Sequence, residues 1–400
     1  MKKLLAIVLT LALMLSLVSF ASADDSTIKV WVADKAVEFT KAQIETFKAA
    51  NPDFAGFEYI VEPVGEGDAA GKVITDIESA ADIFGFPQDQ LGRLVKAGAL
   101  VEVEEENAKK VEAENDAGSV AAVKMGDTMY AYPMTSDNGY FMYYDKSVVT
   151  DPTDLAKILD DCAAAGKSFY FDISSGWYQV AFFFAYGCNI EYETDDEGAF
   201  TALNTNYASE DGVKALKALI EVAKHPAFQP GSSLSTATNV GAIIDGVWDA
   251  GAAKDLFGDN YAATKLPTWD GIQLSGFGGF KMLGVKQQTS DEKLAACDAL
   301  AAFLTSEEVQ LARFLDPELQ WGPSNLAAQQ SEAVKANEAL AALGQQLNFT
   351  IPQGNYPQEY WTAATGLGDD ILADKLDDAD DATLLAALET LVANCKAAIK

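Results

Sequence analysis

His225, in the segment AKHPAF, is the only histidine of the 400-residue chain, so the common hydrolytic and metal chemistries would all pass through it. A Ser-His-Asp triad, a Cys-His pair or a histidine-based zinc site each needs that imidazole. Its place at the end of a predicted helix reads as a surface residue instead. No G-x-S-x-G, phosphate loop or G-x-G-x-x-G accompanies it. Two facing carboxylates suffice for a glycosidase. The 60 acidic residues supply many candidates but select no pair.

The aromatic residues are more informative. Trp31 sits inside a strand-like run, whereas the other tryptophans fall near the ends of predicted elements: Trp177, Trp248, Trp269, Trp321 and Trp361. In open α/β sheets the loops beyond the carboxyl ends of the strands project side chains into a crevice where ligands bind. Flat aromatic faces there suit the apolar faces of sugar rings, and neighbouring polar groups suit the hydroxyls. Packing in a core or at an interface is the preferred reading for Trp31, Trp269 and Trp321. For Trp177, Trp248 and Trp361 packing and a ligand wall remain equally open.

Those loops need a scaffold that alternates strand and helix, and the sequence supplies one. TIKVWVAD reads as a strand, and a helix follows with Val37, Thr40, Ile44 and Phe47 at helical spacing, stopped by Asn51-Pro52. FEYIVEPVG is a second strand, a helix is predicted around Lys72 to Ser79, ADIFGF is a third strand and QDQLGRLVKAG a further helix. From Met129 two strand-like runs joined by a polar turn are predicted. A second series of strands and helices then includes SFYFDI and VGAIIDGVWDAG. Flexible SGFGGF at 275 to 280 precedes two helices with capping-box patterns, Thr289 with Glu292 and Thr305 with Glu308. The last helix carries Leu384, Leu388, Leu391, Cys395 and Ile399 on one face. The pattern predicts an α/β protein of two successive units, each a mainly parallel sheet flanked by helices.

Residues 1–23 read as a secretory signal peptide: MKK, an apolar run, then Ala21-Ser22-Ala23 as cleavage site. The protein is therefore expected to be exported, cleaved after Ala23 and periplasmic or extracellular, with no lipobox cysteine. Cys162, Cys188, Cys297 and Cys395 are scattered without metal or redox spacing and are expected to be structural. Cys162 with Cys188 is the pairing considered. The formal net charge of −32 disfavours nucleic acid and anionic membrane surfaces as partners.

Seven segments in order carry a resemblance: VWVADKAVEF, ADIFGFPQDQLGRLVKAGALVEV, YAYPMTSDNGYFMYYDKSVV, FDISSGWYQVAFFF, IIDGVWDAG, TSDEKLAACDALAAFLTSEE and QEYWTAA. The chain resembles the extracellular solute-binding proteins of carbohydrate ABC transporters, of the maltose-binding type. This implies a two-lobed binding-protein fold joined by a multi-crossing hinge. The N-terminal lobe would take 24–134 plus about 281–327, and the C-terminal lobe 135–280 plus about 328–400. It implies no enzyme activity and no cofactor. The expected chain is a monomer whose partners are a small solute, an oligosaccharide above all, and a membrane permease.

Carried over by position, the resemblance makes Asp34 and Lys35 hydrogen-bonding residues for sugar hydroxyls. It makes Phe86 an aromatic platform with Asp89 and Gln90 beside it, Asp137 a carboxylate facing the ligand, and Trp177, Trp248 and Trp361 stacking aromatics. The family's maltose binders have tryptophan in place of Phe86 and arginine in place of Gln90. A polyamine receptor of the same fold, using Asp34, Asp89 and Asp137, is the alternative reading, and a secreted glycoside hydrolase is a further one.

Overall fold

The computed structural model describes residues 26–195, 197–288 and 290–399; the leader and Thr289 lie outside them. The first strand, Thr27–Val32, pairs in parallel with Glu58–Pro63 on one side and Ile83–Pro87 on the other. The helix Val37–Ala50 buries Thr40, Ile44 and Phe47, three of the four positions whose spacing predicted it, and ends at Asn51. In the second half, Ser168–Phe171 lies in parallel between Phe228–Pro230 and Val240–Gly246. The parallel pairing points the carboxyl ends of the strands in each half one way, and all of these strands but Phe228–Pro230 lead into a helix or a short 3-10 turn.

Two long strands join the halves. Tyr132–Asp145 runs antiparallel both to Val240–Gly246 and to Gly276–Val285, and the latter pairs with Ile83–Pro87. One continuous sheet results, with the crossing strands in its middle. Two expectations are corrected here. The polar residues Thr135 to Asn138 form no turn, because they sit within the single 14-residue strand Tyr132–Asp145. SGFGGF is not a flexible spacer either, since Gly276–Val285 is paired on both sides. Partners supplied across the crossing offset part of the cost of burying these polar residues, although Thr135 Oγ1 and Asp137 Oδ1 are left unpaired. The peptide N–H of Gly322 donates to Asp137 at 2.6 Å, and Asn138 donates to Gln353 at 3.4 Å.

One core takes residues from Ile28 to Met134 and returns to Met282–Leu304, Leu319 and Trp321. A second runs from Tyr140 to Phe277 and adds Tyr356–Cys395, including Leu384, Leu388 and Leu391 of the last helix. A third, smaller cluster around Phe141, Tyr143 and Ile243 takes in Ala339, Ala342 and Leu343.

Local details also shift. The helix expected near Lys72 starts earlier, at Glu66, and ends at Thr75. Ser290 and Ser306 cap their helices by accepting the N–H of Lys293 and Val309, and Thr305 is not the cap of the second. The Thr305 hydroxyl instead donates to the Ala301 carbonyl at 2.8 Å. All four cysteines are buried free thiols, so Cys162 and Cys188 form no disulfide. Burial pushes the Cys162, Cys188 and Cys297 thiols up to about 12, which makes them inert packing groups.

Candidate ligand cleft

Between the halves lies a cavity of about 520 Å³. Its first wall comes from the carboxyl ends of three parallel strands, as the geometry of open sheets demands. Thr27–Val32 leads to Ala33 and Lys35, Glu58–Pro63 to Glu66 and Asp68, and Ile83–Pro87 to Asp89 and Gln90. Asn138 and Lys281 line it from the crossing strands, and Trp321 from the chain that follows. The opposite wall carries Trp177, Trp248 and Trp361, with Gln353 and Gln358.

Each indole is held by a local device. Trp177 enters at the start of the helix Gly176–Ala185, edge-on to Tyr140 at 4.7 Å between centroids, and lies 5.9 Å from Trp248. Gly176 permits the close approach of the helix Gln358–Leu372: a Cβ there would sit 2.6 Å from that of Ala364 and 3.5 Å from the Trp361 ring. Trp248 folds back over Gly246, where any Cβ would enter the indole. The Lys281 ammonium lies over both Trp248, at 4.8 Å, and Trp321, at 5.3 Å, and so orients the two rings by cation–π attraction.

The polar groups are heavily committed. Lys35 pairs with Asp249 at 3.1 Å and donates to the Trp248 carbonyl, spanning the cavity mouth. Asp89 accepts from Gln353 at 2.7 Å and from Gln90, and Gln90 accepts from Arg93 at 2.6 Å. Burial pushes the Asp89 carboxyl up to about 8, against the opposing pull of its hydrogen bonds and Arg93.

Of the nine residues singled out from the sequence, Lys35, Asp89, Gln90, Trp177, Trp248 and Trp361 line this cavity, and Asp34, Phe86 and Asp137 do not. Asp34 is exposed and outside the lining. Phe86 is a correction. Its strand is covered on both faces, and the ring packs into the first core at 0 % exposure, 5.7 Å from Phe84. Asp137 is likewise buried, holding the backbone of Gly322, and burial raises its pKa. Trp321, Lys281, Glu66, Asp68, Asn138, Gln353 and Gln358 escaped the sequence reading. Trp321 alone gave a signal, as a tryptophan near an element end.

Among the described residues no cluster of His, Cys, Asp or Glu is placed to hold a metal ion, and no helix is long and apolar enough to cross a membrane.

Two α/β lobes, a crossing hinge and an aromatic cavity between them define a solute receptor. The model of the bacterial extracellular solute-binding proteins matches residues 42–342, and the chain belongs to that family. Over 343 residues it is 27% identical to a maltooligosaccharide ABC transporter solute-binding lipoprotein of Streptococcus pneumoniae, covering 80% of this chain and 78% of that one. A structure solved with acarbose is similar at 28% identity and a TM-score of 0.80, over 94% of this chain and 99% of that one. The maltose-maltodextrin binding protein of Alicyclobacillus acidocaldarius shares the fold at 22% identity and a TM-score of 0.76, over 92% of this chain and all of that one.

Proposed function

We propose that this protein is the carbohydrate receptor of an ABC importer, which captures a malto-oligosaccharide or similar sugar in the cleft and delivers it to the membrane permease. The observation that carries this reading is the facing of four indoles, Trp177, Trp248, Trp321 and Trp361, with carboxylate, amide and ammonium groups across one cavity. Indoles bury the apolar faces of sugar rings while the polar groups replace water at the hydroxyls. Lys35, Asp89 and Gln90 supply polar contacts, and Trp177, Trp248 and Trp361 the platforms. Both walls touch the solute only when the lobes are closed, so binding shifts the population toward the closed form that the permease reads.

The lobes are 24–134 with about 281–327, and 135–280 with about 328–400, in keeping with the residue makeup of the two main cores. The chain acts as an exported monomer, cleaved after Ala23, that binds and delivers its solute. Glu66, Asp68 and Asp89 would favour a polyamine, but Lys35 and Lys281 line the same cavity and oppose it.

Melting the mature protein against malto-oligosaccharides, monosaccharides and polyamines tests the reading, because a ligand bound only by the folded state raises Tm. A rise with one sugar class, lost in Trp177→Ala and Trp361→Ala, is expected. A rise with polyamines alone would overturn the sugar assignment.

A further inference from the structure

Four hydrogen bonds form one chain across the cleft, directed from both ends toward Asp89. The Trp177 Nε1–H donates to Gln353 Oε1 at 3.2 Å, and Gln353 Nε2 donates to Asp89 Oδ1 at 2.7 Å. From the other side Arg93 donates to Gln90 Oε1 at 2.6 Å, and Gln90 Nε2 donates to Asp89 Oδ2. Both ends of this chain are donor-only groups: an indole has one N–H and a guanidinium has no acceptor. Each glutamine must therefore turn its carbonyl outward and its amide NH₂ inward. Asp89 at the centre accepts on both oxygens, an arrangement that the carboxylate form satisfies with no O–H competing for the incoming donors.

Gln353 is also tied to the hinge. Its backbone N–H donates to the Gly278 carbonyl at 2.9 Å, and its own carbonyl accepts from Gln88. Asn138, on the other crossing strand, approaches Gln353 Oε1 at 3.4 Å. The residue is 2 % exposed, so its amide finds its partners within the protein.

We infer that Gln353 is a positioning residue for ligand capture: it sets the orientation of the Trp177 platform from the acceptor state of Asp89, through a hydrogen-bond chain whose direction both ends impose. The inference rests on the sugar-receptor reading for its consequence, but the chain itself exists without ligand. A protonated Asp89 would present an O–H to one incoming NH₂ and break one of the two central links. The Gln353 amide is then free to rotate, and the indole loses its fixed acceptor. The charged and titratable groups facing Asp89 are Arg93, which favours its charge, and Tyr356, whose phenol is pushed up by burial first and by Asp89 second. Glu359 acts on Arg93 in turn.

The test follows the Trp177 indole N–H resonance in ligand-free, isotopically labelled protein, assigned with Trp177→Phe, and titrates the same samples with maltotriose. In the wild type the resonance is expected to move with pH around 8, where Asp89 titrates. Asp89→Asn should shift it and abolish that movement. Gln353→Leu should move it to the position of an unbonded indole, and each variant should weaken maltotriose about tenfold, the loss of one charge-assisted or buried hydrogen bond. An indole resonance unchanged in Asp89→Asn overturns the inference, and that variant decides alone if Gln353→Leu fails to fold by near-ultraviolet circular dichroism. If the resonance responds as expected in a protein that ignores maltotriose, the relay stands and the malto-oligosaccharide reading falls.

Discussion

Lys35 and Asp249 form an ion pair at 3.1 Å although one follows the first strand of the first lobe and the other a strand of the second. The pair sits at the mouth of the cavity, so opening must break it. Lys35→Met should speed release of the bound sugar roughly fivefold, the equivalent of about 1 kcal/mol for a partly exposed pair. Stopped-flow tryptophan fluorescence at low salt reads this rate, and the difference should shrink in high salt, where exposed charges are screened. Equal release rates at low salt would show that the pair plays no part in closure.

Gly246 is where Trp248 rests on the backbone, and no side chain fits beneath the indole. Gly246→Ala should displace the ring, lowering stability by about 1–3 kcal/mol through overpacking. Sugar affinity should fall by at least about tenfold, as the loss of an aromatic contact would bring. Calorimetric titration beside urea unfolding separates the two effects, and full affinity would mean that Trp248 is no platform.

Phe86 lies in the core and not in the cleft. Phe86→Ala should therefore cost about 3–5 kcal/mol of stability. Phe86→Leu should fold and bind sugar as the wild type does. A large affinity loss in Phe86→Leu, without a matching loss in urea midpoint, would put the ring back at the ligand.

Three buried carboxyls, Asp89, Asp137 and Asp245, have pKa values raised by burial. The native state thus holds protons that the unfolded chain releases near pH 4. Their contribution to stability is full below that pH and is lost as pH rises through the native pKa values. Tm should decline from mildly acidic toward mildly alkaline buffer. Asp245 Oδ2 has no partner and Asp249 lies close enough to raise its pKa further, so Asp245→Asn should flatten the decline, raising Tm more at pH 8 than at pH 5. An identical slope in the variant would remove Asp245 from the account.

The alternation of strand and helix, the helix Val37–Ala50 and the wall of indoles were legible because each rests on a local pattern: period, capping, or an aromatic residue at an element end. The crossing strands were not, because polar Ser136, Asp137 and Asn138 read as a turn until Gly322 and Gln353, far along the chain, supply their partners. Phe86 was misplaced for a related reason. A position matched along the sequence does not say whether a strand is covered on one face or on both. Lys281 and Gln353 had no local signal at all, since their value lies in neighbours more than 30 residues away on the chain, Trp248 and Asp89 among them.

The first core is completed only by Met282–Leu304 and Trp321, contributed after the chain has built much of the other lobe. An emerging N-terminal segment thus lacks the strand Gly276–Val285 that would cover the edge of Ile83–Pro87. Pairings so distant in sequence form slowly. The first lobe therefore reaches its native core only after the chain has passed Trp321, so its completion trails the emergence of most of the second lobe.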